Sequence, residues 1–347
     1  MESPSEAPMF CLSRTSSLIF CSGGHYVKDS IIYDLKDSYG IICNKITPVT
    51  GGWLNKQWKV STDKGEVLVK QFSNKRFSRD KLKLVESALQ RQIILKKNGV
   101  PCPSIWQCRG HAIRLLDDET AYMVMDFHMG KVENPSTITT MQMHSLGNAC
   151  GLMHKAFSQI PELSVKGFPI NNRQIIDSLW TNFHDSMQEC SSEMPIEYRE
   201  AVLAQEPILK QLTNEFFEKL PKGIAHEDFT SDNILFDVDC VSAIIDFDRN
   251  SYSYIWHDIG RAILSFALKD NVINIEKTYA FLEGYSQHLM LTLPNIADAL
   301  RLSWCIEVPW WIQPEFFRKY RGKAGRFKDE ILWLTENWFE IDSILCS

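Results

Sequence analysis

The sequence predicts an α+β protein with two lobes, in which a small antiparallel sheet precedes a larger group of helices. The chain has 347 residues, a length that usually forms two domains or two lobes. Short β-branched and apolar runs dominate 40–126, whereas from about Pro135 the apolar residues recur with the 3.6-residue period of helices. We therefore expect an N-terminal extension, an N-terminal lobe and a C-terminal lobe, which cover 1–26, 27–126 and 127–347.

The composition excludes several classes of protein. Hydrophobic residues make up 44% of the chain and charged residues 23%, which is enough apolar surface for a sizeable core and excludes disorder throughout. The 37 Lys and Arg against 43 Asp and Glu give a formal net charge of −6, which disfavours a protein that wraps nucleic acid by charge alone. No apolar run approaches the ~18 residues that cross a bilayer. We expect neither nucleic acid nor a membrane as a partner.

The N-terminus and the cysteines indicate the cytoplasm. Glu2 and Glu6 stand where a secretory signal carries positive charge, so we predict no signal peptide, and the Ser-rich, unpatterned 1–26 is typical of a loosely held segment. The ten cysteines include no Cys-x-x-Cys pair. Scattered single thiols are typical of proteins in a reducing compartment.

The N-terminal lobe has the pattern of a sheet with one inserted helix. A first helix is expected over 28–39. The runs Trp58–Thr62 and Val67–Phe72 flank the turn Asp63-Lys64-Gly65 and predict a β-hairpin. A helix is predicted over Arg79–Lys97. Three further strands are expected at 105–109, 112–116 and 120–125.

The C-terminal lobe is predicted to be mostly helical. The helical patterns cover 138–157, 171–190, 199–219, 258–268, 275–290, 294–305 and 326–345. The exception is Ala225–Phe247, which has the pattern of a loop followed by short strands.

A predicted hairpin in this segment gathers three polar side chains. The apolar runs Ile234–Phe236 and Val241–Ile245 are joined by a four-residue loop. If the last residue of the first run pairs with the first residue of the second, Asn233 lies opposite position 244, and Asp246 lies about one residue pair beyond it. Asp228 precedes the first strand, in the loop over the same end of the hairpin. One amide and two carboxylates are thus expected to converge.

These side chains suit phosphoryl transfer. Amide and carboxylate oxygens, here from Asn233 and Asp246, are ligands that Mg²⁺ accepts together with waters and substrate phosphates. A carboxylate beside the metal, here Asp228, can orient an attacking hydroxyl and accept its proton.

The same residues resemble a known family. His226-x-Asp228-x4-Asn233, followed by Ile-Asp246-Phe, resembles the catalytic and metal loops of the protein-kinase-like fold. It resembles more closely those of the aminoglycoside phosphotransferase superfamily, which includes antibiotic kinases and homoserine-kinase-like, choline-kinase-like and spore-coat-kinase-like proteins. The resemblance extends over about 40–265 in the order of elements. It implies a bilobal fold that binds ATP and Mg²⁺ between the lobes.

Several further positions are assigned by this resemblance alone. Lys70 is similar to the strand lysine that pairs with the α- and β-phosphates, although a lysine at a strand end is often only solvated. Gly51 and Gly52 are similar to the loop that covers the phosphates, although a plain turn explains them nearly as well. Asp126 and His128 lie in the segment that resembles the adenine-binding hinge. Asp258 is similar to the aspartate that opens the next helix and braces the catalytic loop, and His226 is expected to hold that loop against Asp246-Phe247.

The chain departs from the family pattern at two positions. Glu227 stands where small-molecule kinases often carry glycine, and we leave open whether it meets substrate or solvent. The family lysine pairs with a glutamate of the following helix, and Glu86 is our candidate because Asp80 is the only other acidic residue of 79–97. Asp232 and Asp248 are interpreted as solvated loop carboxylates, although a metal contact stays open.

The acceptor is expected to be small. Only eleven residues, 247–257, separate Asp246 from Asp258, which leaves no platform for a peptide, and no arginine stands beside Asp228. These points disfavour a protein kinase.

Three surfaces are candidates for acceptor contact, each with a plainer alternative. An acidic stretch at 185–206 could attract an amine or could be a solvated face. An aromatic and acidic group, formed by Trp304, Glu307, Trp310 and Trp311, could enclose an ammonium or pack in the core. A basic run at 318–328 could meet phosphate or could be a solvated linker.

The predicted function is an ATP- and Mg²⁺-dependent phosphotransferase that acts on a hydroxyl of a small molecule such as an amino-sugar or amino alcohol. Its rival is a non-catalytic, spore-coat-type nucleotide-binding or scaffold protein.

Overall fold

The N-terminal part of the chain is a five-stranded antiparallel sheet with two helices. The computed structural model describes residues 29–49, 55–161, 170–190, 193–318 and 323–346. The sheet has the strand order β1-β2-β3-β5-β4. Its strands are β1 (Cys43–Pro48), β2 (Lys56–Thr62), β3 (Gly65–Phe72), β4 (Ile113–Leu115) and β5 (Ala121–Asp126), and its helices are α1 (Asp29–Tyr39) and α2 (Arg79–Lys97).

Most of these elements lie where the sequence pattern places them, with one exception. The β2–β3 hairpin closes with Thr62 opposite Gly65, and Gly65 has a φ of +113°, which suits glycine. The expected strand at 105–109 does not form, because this segment makes only isolated bridges, from Ile105 to Met125 and from Cys108 to His111. Its β-branched and apolar residues are used for packing beside β5 and not for a ladder.

Each face of the sheet has its own apolar cluster. Trp58, Val60 and Val69 pack beneath α1, and Phe72, Met123 and Leu89 pack between the sheet and α2. The two faces alternate along each strand as the pleat requires. Both faces of the sheet are thereby covered. This packing fixes β3 and β5, and with them the positions of the residues at their ends.

The C-terminal part is mostly helical. Its helices are α3 (Thr140–Ser158), α4 (Asn172–Glu189), α5 (Ile196–Leu203), α6 (Glu206–Gln211), α7 (Asn214–Glu218), α8 (Trp256–Ala267), α9 (Ile275–Ser286), α10 (Leu293–Trp311), α11 (Pro314–Arg318), α12 (Lys323–Asn337) and α13 (Ile341–Leu345). Its strands form three two-stranded ladders, β6 (Lys222–Ala225) with β9 (Ser251–Tyr254), β7 (Ile234–Asp237) with β8 (Cys240–Ile244), and β10 (Leu268–Lys269) with β11 (Val272–Ile273).

Three helical predictions are wrong in detail. The single helix expected over 199–219 is divided into α5, α6 and α7, because Pro207 lies in the first turn of α6, where its missing N–H costs nothing. The helix expected over 294–305 continues to Trp311 through Pro309, and the one expected over 326–345 is divided into α12 and α13. Among the described residues, no helix is long and apolar enough to cross a membrane.

Helices α3 and α9 pack unusually closely through glycines. A Cβ atom on Gly147 of α3 would lie 2.0 Å from the Phe281 carbonyl oxygen, and one on Gly284 of α9 would lie 2.0 Å from the His144 carbonyl oxygen. Because both obstacles are backbone atoms, no side chain can move aside to make room. The close contact fixes α3, which carries a residue of the candidate site described below.

We predict that Gly147→Ala destabilises the protein by about 1–3 kcal/mol or more, because the added methyl group forces the two helices apart. Met141→Ala, on the exposed face of the same helix, should change the free energy of unfolding by no more than about 0.5 kcal/mol. Urea unfolding followed by circular dichroism measures both. Equal stability of Gly147→Ala and the wild type would contradict the close packing.

Candidate active site

The loop between β6 and β7 holds Asp228 and Asn233 in contact. The Asp228 carbonyl oxygen accepts hydrogen bonds from the Thr230 backbone N–H, at 2.9 Å, and from the Asn233 side-chain amide, at 2.9 Å. The amide of Asn233 is therefore turned with its nitrogen toward the loop, and no described residue donates to its oxygen. Asn233 is nearly buried, whereas Asp228 is half-buried.

The β7–β8 hairpin brings Asn233 next to Asp246, although not in the expected register. Phe236 pairs with Val241 as predicted, but a bulge follows, and the Asn233 carbonyl oxygen accepts from the Ile245 N–H at 2.9 Å. Asn233 thus lies opposite residue 245 and not opposite residue 244. A bulge places one extra residue on one strand, and here it moves Asn233 one position nearer to Asp246.

Lys70 of β3 reaches across to the turn that follows β8. Its Nζ lies 2.7 Å from Asp246 Oδ1 and 2.6 Å from Asp248 Oδ2. The side chain of Lys70 is only 3% exposed, whereas that of Asp246 is 40% exposed. Asp246 has a left-handed backbone with a φ of +65°, which aspartate tolerates better than most residues. The strand lysine and Asp246 are therefore in direct contact.

The charges of this cluster are interdependent. Burial alone would lower the pKa of Lys70, but the carboxylates of Asp248 and Asp246 outweigh it and raise the pKa above its usual range. Burial acts to raise the pKa of Asp246, but Lys70 outweighs it, and the pKa is lowered. Burial raises the pKa of Asp248 despite Lys70. Lys70 is thus a fixed cation at neutral pH. The interpretation of Asp248 as a solvated carboxylate is wrong, because its side chain is 9% exposed and ion-paired.

Glu86 is not the partner of Lys70, so that prediction is wrong. Its two carboxylate oxygens accept from the backbone N–H groups of Ala112, at 3.0 Å, and Ile113, at 2.7 Å. Gln90 also donates to it, at 2.7 Å. Because the strand β4 begins at Ile113, Glu86 is used to fix α2 to the edge of the sheet.

The loop between β6 and β7, which carries Asp228, is held by Asp258, as expected. Asp258 is completely buried at the start of α8 and accepts from the backbone N–H of His226, at 2.6 Å, and of Glu227, at 3.0 Å. Burial acts to raise the pKa of Asp258, but a hydrogen bond with His154 outweighs it, and the pKa is lowered. His154 Nε2 lies 3.0 Å from the Asp258 carboxylate, and its Nδ1 lies 2.9 Å from the Tyr285 hydroxyl. Nothing in the sequence singles out His154, since it is one helical histidine among apolar residues.

His226 holds the loop against the turn that contains Asp246. Its Nε2 lies 3.0 Å from the Ile245 carbonyl oxygen, and its ring packs edge-on against Phe247 with 4.6 Å between ring centroids. This is the structural role that the sequence predicts. His226 thus connects the loop that carries Asp228 with the turn that contains Asp246.

Glu227 has a partly buried side chain and a left-handed backbone. Its φ is +67°, and one carboxylate oxygen is buried with no hydrogen-bond donor in the described part of the chain. Burial raises the pKa of this carboxyl, while the neighbouring His257 acts against it. Its side chain thus faces the short segment before α8, where Ser253 also lies.

The expected hinge connects the sheet to the β7–β8 hairpin. The side chain of Asp126 accepts from Trp106 Nε1 at 2.7 Å, so it is engaged within the sheet. Gly130 is tight against the hairpin, since a Cβ there would lie 2.8 Å from Leu235 Cβ. The backbone N–H groups of His128, Met129 and Gly130 have no described hydrogen-bond acceptor. The backbone of this segment is therefore available to a ligand, and burial lowers the pKa of His128, which favours its neutral form. Gly51 and Gly52 lie outside the described residues.

Asn233 and Asp246 fit a magnesium ion that is completed by substrate. Within the described ranges, no three His, Cys, Asp or Glu side chains form a ready metal cage. Mg²⁺ does not require one, because it keeps several waters and takes one or two protein oxygens together with phosphates. The amide oxygen of Asn233, to which no described residue donates, and the partly exposed carboxylate of Asp246 are oxygens of this kind at the same end of the β7–β8 hairpin.

The aromatic and acidic group of α10 does not act as one surface. Trp304 is in the core and donates to Thr335 at 2.8 Å, while Trp310 is 70% exposed. Glu307 is buried and ion-paired with Arg261, at 3.2 Å. Trp311 donates to Glu307 at 3.0 Å. The aromatic residues are thus divided between packing and surface, which favours the plainer alternative for Trp304.

Arg326, a residue of the basic run, contacts the loop between β6 and β7. Arg326 donates to the Ser231 hydroxyl at 2.6 Å and lies 3.3 Å from Glu330, which also pairs with Arg261 at 2.8 Å. Helix α12 is thereby connected to the loop that carries Asp228. The run is only partly described, and at Arg326 it is not a solvated linker. The acidic side chains of 185–206 are mostly exposed.

The fold and the site define a kinase-like phosphotransferase, and comparison with known proteins agrees. The model of the phosphotransferase enzyme family matches residues 45–291. The match covers well over half of the chain, so the chain belongs to this family. The expected family is thereby confirmed.

Curated relatives are homoserine kinases. The enzyme of Rhodopseudomonas palustris (strain BisA53) is 28% identical over 201 residues, which span 56% of this chain and 56% of that enzyme. The enzyme of Rhizobium meliloti (strain 1021) is 25% identical over 261 residues, which span 73% of each chain. The first match thus covers little more than half the length of the relative.

Solved structures share the fold. The amicoumacin kinase hAmiN, solved in complex with AMP-PNP, Ca²⁺ and Ami, has a TM-score of 0.62 and 15% identity, and the match covers 91% of this chain and 95% of that chain. At this identity the likeness concerns the fold alone. The expected α+β, bilobal, kinase-like fold is confirmed.

We predict that Lys70→Met lowers phosphoryl transfer at least 100-fold, because it removes the cation from the Asp246 and Asp248 pair. Glu86→Gln should keep activity within a few-fold of the wild type, because Glu86 contacts backbone and not Lys70. Initial rates of ADP release measure both variants. Loss of activity in Glu86→Gln as severe as in Lys70→Met, at unchanged thermal stability, would show that Glu86 serves the site.

Proposed function

We propose that the protein transfers the γ-phosphoryl group of ATP to a hydroxyl of a small molecule, with Mg²⁺ as the metal. The main observation behind the proposal is the contact between Lys70 Nζ and Asp246 Oδ1, which are 2.7 Å apart. Asn233 lies opposite Ile245 and donates to the Asp228 carbonyl oxygen, so the other two site residues are nearby. Family membership supports it. Because ATP and Mg²⁺ are both abundant in the cytoplasm, we infer that the protein acts there.

The nucleotide would lie between the sheet and the helical part. Lys70 would bind the α- and β-phosphates, since its raised pKa keeps it charged at neutral pH. The free backbone N–H groups at His128–Gly130 would receive the adenine, and Gly51 and Gly52 would belong to the loop over the phosphates. Asn233 and Asp246 would hold Mg²⁺, which neutralises charge on the β- and γ-phosphate oxygens.

Asp228 would orient the acceptor. Its carboxylate would accept a hydrogen bond from the acceptor hydroxyl, whose oxygen attacks the γ-phosphorus in line. The bond between that phosphorus and the β–γ bridging oxygen breaks, ADP leaves, and the hydroxyl proton passes to Asp228. Positioning supplies much of the rate, because the phosphoryl transition state is loose. The loop is suited to this task, since His226 and Asp258 fix its backbone.

The acceptor is proposed to be a compact hydroxyl compound. Homoserine is the first compound to test, because two relatives are named homoserine kinases. Amino alcohols, amino-sugars and antibiotics with a free hydroxyl are the next class, since the structural neighbour hAmiN is an amicoumacin kinase.

We predict that Asp228→Asn lowers kcat about 10²–10⁴-fold, because the acceptor hydroxyl loses its proton acceptor. The Kd for ATP should change less than about threefold. Asp237→Asn, an exposed residue at the end of β7, is the matched control and should behave as the wild type. ADP release is measured with Mg²⁺-ATP and pooled homoserine, amino alcohols, sugars and aminoglycosides, and ATP binding is measured by calorimetry.

Two outcomes would contradict the proposal. Full turnover by Asp228→Asn would remove Asp228 from the mechanism. Tight ATP binding by the wild type with no ADP release on any acceptor pool would favour the rival, a non-catalytic nucleotide-binding protein.

A further inference from the structure

Helix α2 is joined to the turn after Asp246 by a buried arginine. Arg91 Nε donates to the Asn250 side-chain oxygen at 2.5 Å, and Arg91 Nη2 donates to the Asn250 backbone oxygen at 2.6 Å. Asn250 in turn donates through its amide nitrogen to the carbonyl oxygens of Ala88, at 2.9 Å, and Phe247, at 2.6 Å. Arg91 and Asn250 are 8% and 2% exposed. Every polar atom of the Asn250 side chain is thereby used to connect the helix to the turn.

Burying Arg91 in this contact costs desolvation free energy, so a contribution to stability does not explain why the residue is there. A buried guanidinium usually pairs with a carboxylate, because its charge is expensive to desolvate. Here the described acceptors of Arg91 are an amide and a carbonyl oxygen, both neutral, and burial lowers the pKa of Arg91 to about 10. An apolar residue would cover the same surface at less cost. The hydrogen bonds from Arg91 to Asn250 therefore have a role other than stabilising the fold, and this role explains why a charged residue is buried here.

The turn held by Arg91 is the one that presents Asp246. Residues 247–249 form a single 3-10 turn that begins directly after Asp246 and ends at Asn250. Lys70 binds the first part of this segment, through Asp246 and Asp248, and Arg91 binds its end. The sheet and α2 therefore hold the segment from two sides. Glu86, one helical turn before Gln90, takes no part in this.

We propose that Arg91 is a positioning residue that acts through Asn250 to set Asp246 for Mg²⁺-nucleotide binding. The inference rests on the proposed function, because it takes Asp246 as a metal ligand. Arg91 links α2 to the Asp246 turn directly, and in this chain that link stands in place of an ion pair between Lys70 and a glutamate of α2.

The test compares nucleotide affinity with and without metal. Calorimetry gives the Kd of ATP in Mg²⁺ and in EDTA for the wild type and for Arg91→Met, which keeps the length of the side chain and removes the donors. We expect Arg91→Met to weaken Mg²⁺-ATP binding at least 10-fold and ATP binding in EDTA less than about threefold, because Lys70 and the hinge remain. The matched control is Arg79→Met on the same helix, an exposed arginine in a surface ion pair, which should change neither Kd.

Two further variants separate positioning from stability. Arg91→Lys keeps the charge and one donor, and should recover part of the metal-dependent affinity. Asn250→Ala should reproduce the loss, and the double variant Arg91→Met/Asn250→Ala should lose little more than either single variant, since both act through one contact. Thermal unfolding is recorded for each, and affinities are compared only below the transition. In the active enzyme, kcat should fall with Arg91→Met while the KM for the acceptor stays within about twofold.

The outcomes are distinguishable. A folded Arg91→Met that binds Mg²⁺-ATP as tightly as the wild type overturns the inference and leaves the proposed function intact. A wild type that binds ATP equally well with Mg²⁺ and EDTA also overturns it. A wild type that binds Mg²⁺-ATP more tightly than ATP but phosphorylates no acceptor overturns the proposed function, while the binding comparison still decides the role of Arg91.

Discussion

The ion pairs of Lys70 with Asp246 and Asp248 are the constraint on which the rest of the site depends. They join the central strand of the sheet to the turn after the β7–β8 hairpin, over distances of 2.7 and 2.6 Å. A lysine that is 3% exposed keeps its charge only because carboxylates surround it. The N-terminal sheet and the helical part are thus held together at the same place where the chain offers its oxygen ligands. A nucleotide bound there would give Lys70 phosphate oxygens as partners in place of the carboxylates of Asp246 and Asp248.

A second set of contacts holds the loop that carries Asp228. Asp258 accepts hydrogen bonds from two backbone N–H groups of this loop and contacts the ring of His154, and His226 contacts the carbonyl oxygen of Ile245, just before Asp246. The loop and the turn are therefore connected by hydrogen bonds. The close α3–α9 packing around Gly147 and Gly284 belongs to the same support, because it fixes the helix that carries His154. A rigid backbone around one half-buried carboxylate suits a residue that must orient a hydroxyl.

Local sequence signals predict much of this arrangement. The pairing of Phe236 with Val241 and the bounds of α2 follow from hairpin and helix patterns, and the positions of His226 and Asp258 follow from the family resemblance. The bulge opposite Leu235 and Phe236 was not predictable, because a bulge depends on tertiary fit and leaves no clear pattern in a five-residue strand. The same holds for α5, α6 and α7, which a continuous apolar period makes look like one helix despite Pro207.

Long-range polar contacts account for the remaining differences. Asp248 pairs with Lys70, a role that the sequence suggests for Glu86, since the pairing of Lys70 is decided by where α2 lies on the sheet and not by the spacing of acidic residues. His154 contacts Asp258, 104 residues away, and Arg91 contacts Asn250, 159 residues away, which no local pattern encodes. A crystal structure with Mn²⁺ and a non-hydrolysable ATP analogue would locate both the metal and the phosphates. We expect anomalous density for Mn²⁺ within coordination distance of Asn233 Oδ1 and Asp246, with Lys70 Nζ on a phosphate oxygen. Density for the metal away from both residues, or phosphates out of reach of Lys70, would contradict it.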